Sequence, residues 1–417
     1  MKIAQIAPLF ESVPPRLYGG TERVVHYLTE ELVRQGHKVT LFASGDSITS
    51  AELVPCTPRA LRLDPDVENS IPHQMVLLDK VRERAGEFDV LHFHVDYLHF
   101  PLFRTQAGRT LTTLHGRQDL RDHLPFYAHF SEMPLVSISN AQRAPLSRAN
   151  FISTVHHGLP LDLHMPTYHP RGGYLAFLGR ISPEKRPDRA IAIARATGLR
   201  LKIAAKVDNA DEAYFRDTIA PLLDGPGVEF IGEINESEKT EFLGNAAALL
   251  FPIDWPEPFG LVMIEAMACG TPILAFRGGA VAEIIEDGIT GCIVDGVEEA
   301  VKAVPNLLAL DRKAVRARFE ERFSATRMAA DYVKLYQMML RKHAASERHL
   351  SSLAEHLTSH AHARADSVVQ REPSGRGPIH PGMSPMPVRQ VPTTHSTLSE
   401  HAVVVALPWR RSDAFTA

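Results

Sequence analysis

Short apolar blocks alternate with amphipathic stretches of helical period along most of this chain. Residues 2–7 read as a strand. After a Pro-containing loop, Thr21 is placed to cap a helix running to about Gln35. Val24, Val25, Leu28 and Leu32 share one of its faces, and Gly36 stops it. Residues 38–43 form the second apolar block. A polar, Pro-containing stretch and a helix over 74–85 follow, then short strands at 89–93, 110–114, 135–138 and 152–155. The segment 158–173 carries Gly158, Pro160, Pro166, Pro170, Gly172 and Gly173 and breaks the pattern. It then restarts, with strands at 174–178, 200–205, 228–231, 246–253, 272–275 and 291–294. Helices at 188–196, 211–222, 236–243, 259–269 and 297–308 lie between or after them.

Alternating strands and helices predict parallel sheets covered on both faces. The expected fold class is α/β, with two Rossmann-like doubly wound domains facing a cleft. The domains are placed at 1–165 and 174–322, joined by a linker at 166–173. A closing helix falls within 323–344. Ser, His, Pro and Arg dominate beyond it, periodicity vanishes, and 345–417 reads as a disordered tail whose scattered histidines do not make a metal site.

Composition narrows the partners. A chain of 417 residues is long enough for two cores, and a net charge of -4 does not point to nucleic acid. The three cysteines, Cys56, Cys269 and Cys292, form no CxxC and fit a reducing compartment. No apolar run is long enough to span a membrane and no signal peptide opens the chain. A cytoplasmic location is expected; peripheral membrane contact stays open without support.

The stretch from Glu257 to Gly270 carries the most chemistry. Pro256 and Pro258 forbid a helix there, so one can begin only at about Phe259 and run to Cys269. Its first amides, on Phe259, Gly260 and Leu261, then lack intrahelical partners and face an anion, with Gly260 allowing close approach. Glu257 lies just outside this helix and Glu265 inside it. Two carboxylates flanking a phosphate site could each hold the hydroxyls of a sugar, which describes a nucleotide sugar. The spacing alone fits an ordinary strand-to-helix turn equally well.

Other candidates have plain alternatives too. Arg180 and Lys185 follow the first strand of the second half and could neutralise a diphosphate or belong to a solvated loop, with Arg186 as a substitute for Lys185. Gly19 and Gly20 precede the first helix, as a phosphate loop or a simple turn. His115 follows a strand end; a lone histidine is more often structural than catalytic. His92, His94 and His99 with Asp96 suggest a cleft wall rather than a metal site, and Asp64-Pro65-Asp66 a surface turn. Neither half contains GxGxxG, which disfavours a nicotinamide cofactor.

Glu257-Pro-Phe-Gly-Leu, with Glu265-Ala-Met-Ala-Cys-Gly-Thr-Pro after it, resembles the signature of the family-four (group 1) retaining glycosyltransferases of the GT-B fold. The similarity extends in order over nearly all of residues 1–340. It implies that Gly19, Gly20, Arg180, Lys185, Glu257, Phe259, Gly260, Leu261 and Glu265 bind the donor. It implies that His115, Glu257, Arg180 and Lys185 serve the reaction, and that the last helix crosses back to the first domain. No metal or cofactor is implied. The partners would be a nucleotide sugar, UDP-linked before GDP-mannose, and a hydroxyl on a saccharide, lipid or small molecule. A disaccharide phosphorylase and a silent nucleotide-sugar-binding protein share the same pocket. Two departures from the family pattern, Ala204-Ala205-Lys206-Val207-Asp208 and His157-Gly158-Leu159-Pro160-Leu161-Asp162, leave the base and sugar contacts unassigned.

Overall fold

The computed structural model describes residues 1–16 and 19–369. Among these, the first sheet contains β1 (Lys2–Ile6), β2 (Lys38–Ser44), β3 (Glu52–Thr57), β4 (Val90–Phe93), β5 (Thr110–Thr113), β6 (Leu135–Ser137) and β7 (Phe151–Thr154). Its order is β3-β2-β1-β4-β5-β6-β7, and every pairing is parallel. The second contains β8 (Tyr174–Arg180), β9 (Arg200–Lys206), β10 (Val228–Gly232), β11 (Ala248–Phe251), β12 (Ile273–Phe276) and β13 (Gly291–Val294). Its order is β10-β9-β8-β11-β12-β13, again parallel. The central strands read as unbroken apolar runs because helices cover both of their faces.

This order puts a topological switch point in each lobe, between β1 and β4 and between β8 and β11. Open parallel sheets leave a crevice there, beyond the carboxyl ends of the strands. Gly19-Gly20 follows β1, Arg180 and Lys185 follow or end β8, and Glu257 follows β11. The candidate residues therefore emerge at the two crevices.

Several boundaries differ from expectation. β3 was hidden in the polar stretch because Pro55 argues against a strand; β3 lies at the sheet edge, where a proline costs little. The helix placed at 74–85 begins earlier, at Ile71–Arg84, with Pro72 in its first turn. The first helix is Gly20–Arg34, and Gly19 rather than Thr21 is its cap. The helix expected from Phe259 is Leu261–Ala268, because Gly260 has φ 84° and cannot be helical.

Two chain segments cross between the lobes, side by side. Leu159 N donates to Phe323 O at 2.9 Å and Ala325 N to Leu159 O at 2.8 Å. This crossing lies a few residues before the expected linker; Thr167 N already bonds to Cys269 O of the second lobe at 3.0 Å. A helix, Ala325–Val369, then returns to the first lobe. Met328, Ala329, Tyr332, Tyr336 and Met339 recur at helical spacing and are buried. Tyr332 OH bonds Thr113 Oγ1 at 2.9 Å and Tyr336 OH bonds His92 Nδ1 at 2.7 Å. The helix is longer than the 323–344 expected of it. The expected tail beyond Val369 lies outside the described residues.

Candidate active site

The loop leaving β11 cannot be helical until its prolines are past, and it delivers Glu257 buried, at 7% exposure. Its backbone is held by Ala280 N, which donates to Glu257 O at 2.9 Å. A side chain on Gly279, which has φ 49°, would overlap the Glu257 backbone. One carboxylate oxygen, Glu257 Oε2, accepts from Trp255 Nε1 at 2.8 Å and also contacts the Lys185 ammonium. Lys185 Nζ lies 5.0 Å from the centre of the Trp255 ring and 5.7 Å from that of Phe251. Glu257, Lys185 and Trp255 thus form one unit.

Glu265 sits about one turn into the helix Leu261–Ala268 and is 4% exposed. Lys239 Nζ donates to its Oε1 at 2.8 Å and lies 3.1 Å from Glu236 Oε2. Arg23, from the first lobe, pairs with the same Glu236 oxygen, and His164 Nε2 lies 3.1 Å from Glu236 Oε1. Burial raises the Glu236 pKa, but His164, Lys239 and Arg23 outweigh it and hold the group ionised. His164, Glu236 and Glu265 could between them offer three metal-ligand atoms. The Lys239 and Arg23 cations already balance those two carboxylates.

The two helix starts meet across the cleft. A Cβ built on Gly20 would lie 3.5 Å from Leu261 Cδ1. The amino ends of Gly20–Arg34 and Leu261–Ala268 are therefore neighbours, and each carries the partial positive charge of a helix start. Phe259 is not in the helix; it is buried against His157, with ring centroids 4.8 Å apart. The free first-turn amides of this helix are those of Leu261 and Val262, since Met263 N already bonds Gly260 O at 3.0 Å.

Arg180 and Lys185 have different ion-pair partners. Arg180 is surrounded by carboxylates, with Glu184 at 3.3 Å, Asp211 at 3.6 Å and Asp208 at 3.7 Å. Arg186 is committed elsewhere, to Asp188 and Asp254 at 2.7 Å each. Asp64 forms a surface turn, accepting from Arg59 at 2.8 Å and from Asp66 N at 3.2 Å.

His115 stands past β5 in contact with His94, whose Nδ1 is 2.8 Å from its Nε2, and stacks on His157 at 5.3 Å. Burial pushes its pKa down to about 3, so it is neutral at physiological pH. His92 and His94 are buried on the sheet. His99 bonds Thr112 Oγ1 at 2.8 Å and stacks on Phe93, away from them.

The lobes also meet beside Glu257. Ser139 Oγ donates to Pro258 O at 2.7 Å. The Glu283 carboxylate accepts from Asn140 N at 2.8 Å and Ala141 N at 2.7 Å, and His156 Nε2 lies 3.3 Å away. Burial raises the Glu283 pKa, but His156 and these amides outweigh it and bring it to about 2.

Residues 170–323 match the family model described as glycosyl transferases group 1, and residues 18–137 match glycosyltransferase family 4. This chain belongs to the group 1, family-four glycosyltransferases. A D-inositol 3-phosphate glycosyltransferase of Mycolicibacterium smegmatis is 29% identical over 339 residues, covering 67% of this chain and 75% of that protein. A protein of the same name from Mycobacterium tuberculosis strain F11 is 32% identical over 195 residues, 42% of this chain and 40% of that one. Sucrose-phosphate synthase from Thermosynechococcus elongatus has a TM-score of 0.67 at 19% identity, covering 82% of this chain and 99% of that one. Anabaena HepE, solved with UDP and glucose, gives 0.63 at 16% identity, over 81% of this chain and 100% of that one. These structures share the GT-B fold with this glycosyltransferase.

The sequence did not flag Trp255, Lys239, Glu236 or Arg23 of the glycosyltransferase. Trp255 lies two residues before Glu257, and Lys239 follows the carboxyl end of β10. Attention to strand ends would have found both.

Proposed function

We propose that the glycosyltransferase moves a hexosyl group with retention from a nucleotide diphosphate sugar, UDP-linked before GDP-mannose, to an acceptor hydroxyl. What supports this reading is that Glu257, just before the helix Leu261–Ala268, and Glu265, within it, are both buried carboxylates beside a helix start that lies next to Gly20 of the first lobe. The amides of Leu261 and Val262 and the Gly19-Gly20 turn hold the diphosphate. Glu265 takes the ribose hydroxyls and Glu257 those of the sugar. Lys185 pairs with Glu257 and would share its charge with the phosphate; Arg180 would leave its acidic ring to do the same.

In the transfer, the bond from the anomeric carbon to the phosphate oxygen breaks and that carbon bonds to the acceptor oxygen on the same face. The acceptor's proton passes to the departing phosphate. Negative charge grows on that phosphate, and the cations and amides stabilise it. Glu257 is engaged by Trp255 and Lys185 and is not offered as a covalent nucleophile. D-inositol 3-phosphate is the first acceptor to try, because two relatives carry it in their names.

A thermal-shift panel of nucleotide sugars tests the donor, since a ligand binding the native state raises the melting temperature. NMR of the product anomer then tests the stereochemistry. An inverted product overturns retention. Turnover of a disaccharide with free phosphate but not of any nucleotide sugar establishes the phosphorylase instead.

A further inference from the structure

Beneath His115 the first lobe contains a buried hydrogen-bond chain that the transfer described above does not use. Its direction follows from Gln5, whose side chain is fully buried. A carboxamide oxygen only accepts, so the 2.8 Å contact between Gln5 Oε1 and His94 Nε2 requires a proton on that nitrogen. A neutral imidazole carries one N–H, which leaves His94 Nδ1 bare. The 2.8 Å contact from His94 Nδ1 to His115 Nε2 then requires the proton on His115 Nε2. His115 Nδ1 is left with a lone pair and has no hydrogen-bond partner among the described residues.

The same carboxamide fixes the neighbouring histidine. Gln5 Nε2 donates to Tyr336 OH at 3.2 Å, and that hydroxyl donates to His92 Nδ1 at 2.7 Å. His92 Nε2–H then donates to Thr113 Oγ1 at 2.8 Å. Every contact is satisfied in one direction. With the carboxamide reversed, the proton would move to His115 Nδ1 and leave a buried N–H without an acceptor. An orphaned donor is rarer and costlier than an idle lone pair.

We propose that Gln5 and His94 are positioning residues that hold His115 in its Nε2–H tautomer, so that Nδ1 accepts a hydrogen bond from a hydroxyl of the transferred sugar. The identity of that ligand rests on the transferase proposed above; the tautomer does not. In this arrangement His115 reads the presence of a hydroxyl and supplies no proton.

Nitrogen NMR of the full chain labelled at histidine, without ligand, tests the tautomer, with His115→Asn assigning the signals. The expected spectrum shows an imine-type Nδ1 and a protonated Nε2 for His115. A protonated Nδ1 overturns the proposal. Gln5→Leu should give a mixture of His115 tautomers and weaken donor binding a few-fold, as expected for losing one hydrogen bond in part of the molecules. Gln5→Glu keeps the acceptor and should keep the tautomer. An unchanged His115 signal in Gln5→Leu removes Gln5 from the role, and should that variant not fold, a His115 Nδ1–H in Gln5→Glu does the same. The expected tautomer together with no turnover of any nucleotide sugar sinks the transferase reading and leaves the tautomer standing.

Discussion

Lys239 donates to Glu265 Oε1 at 2.8 Å, and this bond joins two successive helices across the strand between them. Lys239 is on the helix Glu236–Gly244, whose start is fixed by a capping box between Asn235 and Glu238. Glu265 therefore takes its orientation from a neighbour with a rigid base. Lys239→Ala should weaken donor binding about tenfold, roughly 1.4 kcal/mol, with kcat nearly unchanged. Titration calorimetry with the donor checks it; unchanged affinity would show that Glu265 orients itself.

Lys185 and Glu257 contact each other and share Trp255, so they should not behave independently. Lys185→Ala is expected to lower turnover by about 10²–10³-fold, the range for losing one charge-stabilising group. Glu257→Gln should be comparably severe. The double variant should be far less damaging than the product of the two, because each single change leaves a partner unpaired. Steady-state kinetics of the four proteins closes the cycle; strictly multiplicative losses would separate the pair.

Gly279 should tolerate no side chain. It has φ 49°, and a Cβ would run into the backbone of Glu257. Gly279→Ala is expected to cost at least about 1–3 kcal/mol from backbone strain alone. It should also displace Glu257 and lower turnover in the folded fraction. Denaturant titration and activity per folded molecule measure the two effects.

Five histidines of the first lobe and crossing segment, His92, His94, His99, His115 and His157, are held neutral by burial. Their folded pKa values lie below the ordinary value of 6.5, to about 3 for His115. The unfolded chain therefore binds more protons than the native one in this window. Stability is full above about pH 6.5 and falls as pH drops toward 3, by at most about 1.4 kcal/mol per pH unit for each histidine. Urea titrations between pH 7 and 4 should show that slope, reduced in His99→Phe. A flat profile would mean that these rings are already protonated in the native state.

The alternation of strand and helix was legible because buried parallel strands are apolar throughout. Glu257 and Glu265 were legible because prolines and a glycine locate their helix to within two residues. The partners of those groups were not. Lys239 reaches Glu265 only because of where the sheet order puts the helix after β10, and Asp208 and Asp211 surround Arg180 from the loop after β9. β3 was masked by Pro55, and Gly260 shortened the helix by adopting a backbone that composition does not announce. The histidine chain needs Tyr332 and Tyr336, more than two hundred residues away in sequence, and no local pattern connects them.

The helix Ala325–Val369 means that the first lobe is not a contiguous stretch of chain. Thr113, His92 and Gln5 take their covering from tyrosines synthesised after the entire second lobe. A fragment ending near Leu159 would expose polar groups and apolar floor that only that helix covers. On a ribosome, the first half of the molecule must wait for the last helix before its interior is sealed.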